Sequence, residues 1–343
     1  MRVKIITALA ALAVAGAAPA AAGESAAAGA RVAAGASAAE VAAKDPVIRT
    51  ADLPNCGGDY FMPCKGAPWY LYLRDGRWVK FPDAARYATE ADGSRADEVE
   101  DGPAPFAVSG DGSTIAYVRA RDGRVVVKRW PGGKATVLPA YGKGVGTKYV
   151  ELQLSTDGSR LLVAYPEAAK KRPGLVVDAA DGTTLATIPA GDVPMGFSAD
   201  GDEVLATRQK SDNTVQLIAH PLDGEPIVDT PPQVAVSTHA SLALAADGHT
   251  VLVLLPTTDK RPEQVRAYDL QARRWAGKAK AIKLKPSALG LGWGPRGRLE
   301  LYRGDGSDEE GRWTTWVYAL DAATGAIRQL DKYTIFAGVP KKR

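Results

Sequence analysis

Three histidines, His220, His239 and His249, and two cysteines, Cys56 and Cys64, are all the imidazole and thiol that the 343 residues offer. Most zinc, iron-sulfur and thiol chemistry is excluded at once, because such sites draw several ligands from those two residue types. A serine hydrolase of the α/β type needs its nucleophile on a G-x-S-x-G elbow with a histidine base, and no such pentapeptide occurs. No phosphate-binding P-loop is present, nor a G-x-G-x-x-G that opens a helix. Asp305-Gly-Ser-Asp308-Glu309-Glu310-Gly311 has the alternating oxygens of a calcium loop, but Glu310 stands where the EF-hand needs glycine and no glutamate stands at the twelfth position. It reads as a solvated acidic loop. Many of the other aspartates precede glycine in turns. No metal or cofactor is expected, and His239 is the histidine placed to act as a base near a central channel.

Lys and Arg number 43 against 39 Asp and Glu, a net charge of +4 spread through interspersed residues. A nucleic-acid binder would concentrate more positive charge on one face, so no nucleic-acid partner is expected. Residues 1–22 carry Arg2 and Lys4, then a short apolar run, then Ala18-Pro-Ala-Ala-Ala22, which is the pattern of a secretory signal peptide cut near Ala20 or Ala22. That run is too short for a bilayer span, and no later stretch is apolar enough for one. Residues 23–45 are an Ala/Gly-rich spacer without the apolar surface to drive folding. The chain is therefore expected outside the cell, at the exterior of the envelope, where Cys56 and Cys64, eight apart and without other thiols, would form a disulfide.

What positions these residues is a repeat. Phe106-Ala-Val-Ser109-Gly-Asp111-Gly112 recurs as Leu152-Gln-Leu-Ser155-Thr-Asp157-Gly158, Met195-Gly-Phe-Ser198-Ala-Asp200-Gly201 and Leu242-Ala-Leu-Ala245-Ala-Asp247-Gly248, with a degraded copy at Leu291 to Gly297. The glycines step by 46, 43, 47 and 49 residues. That is the period of propeller blades. Each copy is a strand, an Asp-Gly turn and a β-branched strand, followed by a second hairpin, so each repeat makes a four-stranded blade. Blades are expected to start near Ala104, Tyr149, Pro194, His239 and Ser287. Trp69 to Leu73, Asp75-Gly76 and Trp78-Val79 read as the outer hairpin of a sixth, whose inner position Tyr333 to Ala337 would partly fill, closing the ring. The fold class is all-β, a single propeller over residues 46–343 with six blades, seven being the second count.

At these residues the chain resembles the WD40-like blades of secreted bacterial TolB-type propellers, whose inner hairpin reads F-S-P-D-G. Phe197-Ser198-Ala199-Asp200-Gly201 is the nearest copy, and proline is absent from all four good copies. The resemblance spans about residues 69–338. It implies the propeller fold and an interaction scaffold, and it carries no catalytic residue.

The second-to-third-strand loops of successive blades hold Lys170-Lys171-Arg172, then Arg208 and Lys210, then Lys260-Arg261, beside the acidic loop. Equivalent loops share one face, which makes these seven cations the expected binding residues for a protein or an anionic envelope polymer. Trp130, Trp293 and Tyr302 are expected to pack between blades. The function expected is a monomeric, non-catalytic scaffold. The alternative is a propeller lyase or lactonase working in the central channel through acidic residues or His239.

Overall fold

A computed structural model describes residues 47–57, 62–97, 102–166, 172–237, 240–256, 262–284, 288, 290–307 and 312–336. The signal and spacer segments, His239, Lys170, Lys171, Lys260 and Arg261 lie outside the described residues. Six antiparallel sheets follow one another along the chain as the blades of a propeller. Blade 1 comprises β1 (Ile48–Asp52), β2 (Trp69–Leu73) and β3 (Trp78–Phe81), and blade 2 comprises β4 (Phe106–Val108), β5 (Thr114–Val118), β6 (Val125–Arg129) and β7 (Ala135–Val137). Blade 3 holds β8 (Glu151–Leu154), β9 (Arg160–Ala164), β10 (Gly174–Asp178) and β11 (Thr184–Ile188). Blade 4 holds β12 (Val193–Phe197), β13 (Glu203–Gln209), β14 (Val215–Pro221) and β15 (Ile227–Asp229). Blade 5 holds β16 (Ser241–Leu244), β17 (Thr250–Leu255), β18 (Gln264–Asp269) and β19 (Arg274–Ala281). Blade 6 holds β20 (Gly290–Gly294), β21 (Arg298–Ser307), β22 (Arg312–Leu320) and β23 (Ile327–Phe336). The first strands of neighbouring blades touch, β4 with β8, β12 with β16 and β16 with β20, and so surround the axis.

The repeated turn explains why each blade begins as it does. Ser155 Oγ donates to Asp157 Oδ1 (2.7 Å) and accepts from Arg160 N (3.0 Å), so one hydroxyl locks both ends of the hairpin. Ser109 and Ser198 repeat the arrangement. In blade 5, where Ala245 replaces the serine, Asp247 Oδ1 takes the Thr250 N–H directly at 2.8 Å. The glycines serve a second purpose. Gly112 has φ +74°, and a Cβ there would lie 2.0 Å from the Ile48 carbonyl of blade 1; at Gly158, φ +69°, it would lie 2.3 Å from Thr114 Oγ1 of blade 2. Each turn is thus seated on the preceding blade, which only a residue without a side chain permits.

Apolar clusters join successive blades. Between blades 1 and 2, Trp69 stacks on Phe106 (centroids 4.7 Å apart) and Phe81 meets Tyr117 edge-on at 4.9 Å. A larger cluster around Leu162, Val176, Phe197, Leu252 and Trp293 runs from blade 3 to blade 6. Trp293 is buried and Trp130 packs against the first cluster, as expected of residues between blades.

One expectation is corrected. Tyr333 to Phe336 does not complete the first blade: it lies in β23, where Tyr333 pairs with Thr315 and Ile335 with Trp313 of its own blade. The physical reason is loop closure. A hairpin across the six residues between β22 and β23 orders far less chain than joining the two ends of the ring. The β2–β3 pair does take the outer hairpin position. Its turn lies at the hairpin end of blade 2, where Arg74 Nη2 donates to Gly110 O (3.4 Å) and Ile48 N to Gly112 O (3.0 Å). Hence β1 is the second strand of its blade, and among the described residues no strand precedes it.

Candidate functional site

Antiparallel alternation puts the second-to-third-strand loops and the blade-to-blade connectors at one end of the ring, the connector face. The connectors differ in length. Twenty-four residues separate β3 from β4 and 13 separate β7 from β8, against four, 11 and eight in the later blades. Long loops on a rigid scaffold are where binding functions concentrate. The two longest connectors, the cysteine loop between β1 and β2 and the β5–β6 turn enclose a cleft of about 920 Å³.

The floor is fixed to the blade 1–2 core. After β3 the chain runs alongside the end of β5: Ala85 N donates to Val118 O (2.7 Å) and Ala120 N to Asp83 O (2.9 Å). Trp69 Nε1 donates to Ala85 O at 2.8 Å, tying this segment to the aromatic cluster. The segment then folds into a small hairpin, with Ala96 N bonded to Ala88 O (3.0 Å) and Glu90 N to Ser94 O (2.8 Å). This hairpin is fastened to the second connector reciprocally, Thr89 N donating to Thr147 Oγ1 (2.8 Å) and Thr147 N to Thr89 Oγ1 (3.2 Å). Lys148 Nζ adds an ion pair to Glu90 at 2.8 Å.

The cysteine loop forms the remaining wall. Cys56 and Cys64 are disulfide-bonded with Cα atoms 4.9 Å apart, as the sequence predicts. Cys56 N donates to Met62 O and Cys64 N to Pro54 O, both at 2.8 Å. Arg86 Nη2 reaches across to Cys64 O at 2.6 Å. Its guanidinium lies 5.0 Å from the centre of the Tyr87 ring, and that of Arg95 lies 3.4 Å from the same ring. Arg86 Nε is buried without a hydrogen-bond partner.

Charge in the cleft is unevenly committed. Arg119 and Asp122 form a two-pronged pair at 3.0 and 2.6 Å, and the arginine holds the Asp122 carboxyl below its ordinary range. Asp92 accepts from the Ser94 hydroxyl and amide, which lowers it too. Glu90 is taken by Lys148. Among the described residues, all three lining carboxylates therefore have partners. Arg121 and Lys143, on different walls and both exposed, meet no carboxylate within ion-pair distance among the described residues. The cleft is a small-residue trough of Ala84, Ala85, Ala120, Ala140 and Gly142 with two spare cations above it.

Of the cations singled out in the sequence, three are described. Arg172 Nη2 donates to Lys143 O (3.0 Å) and Nη1 to Tyr141 O (3.3 Å), bracing the rim of the cleft. Arg208 binds the fully buried Asp192, Nη2 to Oδ2 at 2.8 Å. Lys210 is exposed, 3.7 Å from Asp212. The structure thus places Arg172 beside the cleft and directs Arg208 inward. Arg86, Arg121 and Lys143 were missed by sequence reasoning. Connector length, together with the run Gly142-Lys-Gly-Val-Gly146, marks Arg86 and Lys143, while nothing in the sequence marks Arg121 in the β5–β6 turn.

Elsewhere, burial perturbs individual titratable groups. Asp52, at the end of β1, has its carboxyl pushed up to about 6 by burial. Burial also raises Glu151, at the start of β8. His220 lies 2.8 Å from Asp192 and is lowered by burial, with Asp192 opposing. His249 sits between turn carboxylates, 3.5 Å from Asp269 and 3.9 Å from Asp247. Among the described residues no three His, Cys, Asp or Glu side chains gather as metal ligands would.

No protein-family model and no curated protein matches the chain. Solved structures similar to it include a putative TolB from Agrobacterium tumefaciens, 13% identical over 76% of this chain and 84% of that one, TM-score 0.41. The β-propeller domain of the Trilobed protease from Pyrococcus furiosus is 13% identical over 82% and 84%, TM-score 0.43. The Cps50 (Swd1) β-propeller domain of Myceliophteria thermophila is 14% identical over 67% and 70%, TM-score 0.41. Likeness of this degree concerns overall architecture and carries no residue, ligand or activity across.

Proposed function

We propose that this chain is an exported β-propeller that acts without catalysis, binding a partner protein in the connector-face cleft of blades 1 and 2. The observation that carries the reading is convergence. The longest connectors and the one disulfide loop, which the repeat does not require, meet around a single cleft, fastened by Thr89–Thr147, Lys148–Glu90 and Arg86–Cys64. Ordering so much irregular chain costs conformational entropy that the blades do not need for their own stability. A disulfide in the wall supports a compartment outside the reducing cytosol. A photo-crosslinking residue at exposed Ala120, inside the cleft, is expected to capture a discrete partner from the native extracellular fluid. The same residue at exposed Thr183, at the opposite end of blade 3, is not. Equal capture from both positions, or none from Ala120, would overturn the assignment.

A further inference from the structure

Resting on that reading, we infer that the occupant of the cleft is an extended, acidic peptide segment of the partner. Four features of the trough favour it. Of the described lining carboxylates, Glu90 and Asp122 are paired with Lys148 and Arg119, so only Asp92, held by the Ser94 hydroxyl, faces an incoming anion without a cation beside it. Arg121 and Lys143 stand on different walls without carboxylate partners, and charge at such positions recruits and orients an oppositely charged ligand. Arg86 keeps a buried Nε–H unused, a donor that a ligand carbonyl or carboxylate would satisfy. The floor consists of alanine and glycine, narrow enough in side chain to let a peptide backbone lie close.

An anionic polysaccharide fits the trough less well. Sugar rings are held by open aromatic faces, and Tyr87, the one aromatic ring among the described lining residues, already carries the guanidiniums of Arg86 and Arg95. The small-residue floor presents methyl groups and backbone, which suit peptide side chains and main chain instead.

The test uses the full secreted chain and fluorescence anisotropy with a fluorescein-labelled (Glu-Ala)5 peptide. Neutral (Gln-Ala)5 and basic (Lys-Ala)5 peptides serve as controls, with sodium polygalacturonate as competitor. The acidic peptide is expected to bind, to weaken with added salt, and to lose about tenfold in affinity for each of Arg121→Glu and Lys143→Glu. Both side chains are exposed, so the thermal unfolding of the variants should match the parent. Ala120→Trp, which fills the trough without altering charge, should also abolish binding. Failure of the acidic peptide to bind, or binding unmoved by both reversals, overturns the inference; polygalacturonate binding that outcompetes the peptide overturns it in favour of a polymer. With the photo-crosslinking residue moved to exposed Ala91 of the same cleft, loss of partner crosslinking in Ala120→Trp but not in the reversals would keep the cleft as the binding site and remove only its acidic specificity. If neither affects crosslinking, the cleft assignment itself falls.

Discussion

At the scale of single residues, Asp52 shows how burial sets a protonation state. Its carboxyl closes β1 on the sheet face that also bears Tyr70 and Tyr72, and Tyr72 Oη is buried without a partner, its own titration raised by burial and then by Asp52. With the folded-state value near 6 against an ordinary 3.8, the native protein holds a proton there that the unfolded chain has released. Stability from this group is complete below about pH 4 and is lost as pH rises through 6. Asp52→Asn should therefore be close to neutral at pH 4 and should stabilise the protein by about 3 kcal/mol at pH 7. Denaturant unfolding at the two pH values measures this, and an equal difference at both would refute it. Residue identity alone does not foretell such behaviour. Arg172, Arg208 and Lys210 look alike as loop cations, yet the fold commits the first to connector carbonyls and the second to a buried aspartate.

At the scale of elements, the hairpins were legible because their chemistry is local. Ser-x-Asp-Gly carries its own hydrogen bonds and its own backbone conformation, and Asp247 shows that the turn persists when the serine is lost. The cleft was not legible, because its connectors have no period and its bonds link residues about 58 positions apart, as between Thr89 and Thr147. The cysteine loop lies between these cases: its pairing was readable from two lone thiols, but its contact with Arg86 was not. Removing the bridge in Cys56→Ser/Cys64→Ser frees a short loop, which by chain entropy costs about 2–3 kcal/mol. Thermal unfolding should shift down by several degrees, and a reductant should reproduce the shift in the parent but not in the variant. Because Arg86 anchors on Cys64 O, hydrogen exchange should also quicken around Arg86 and Tyr87; exchange unchanged there would mean that the loop does not support the cleft.

At the scale of the whole molecule, the outstanding question is how the ring is closed when, among the described residues, no strand is shared between its ends. Apolar clusters bind blade 1 to blade 2 and blade 3 to blade 6, but among the described residues none joins blade 6 to blade 1. Five blades could be read from the repeat, since each turn repeats its own local code, and the sixth from the hairpin at Asp75-Gly76. Closure could not, since β23 satisfies the pattern of a strand equally well in either sheet. What spans the seam is polar. Arg49 of β1 donates to both oxygens of Asp331 in β23, at 2.7 and 3.1 Å, and its guanidinium lies 5.2 Å from the centre of the Tyr333 ring. Both partners are largely shielded, with 17% and 28% of their side chains exposed, so removing one leaves a poorly hydrated charge behind. Asp331→Ala is expected to cost about 2 kcal/mol and Arg49→Met somewhat less, with a coupling of about 1 kcal/mol in the double variant. The location of the effect is more telling than its size. If this pair latches the ring, amide exchange in β1 and β23 should rise while β9 and β17, in the interior of blades 3 and 5, keep their protection. A loss of protection spread evenly over all six blades would instead mean that the pair adds to global stability and that the seam is held by something else.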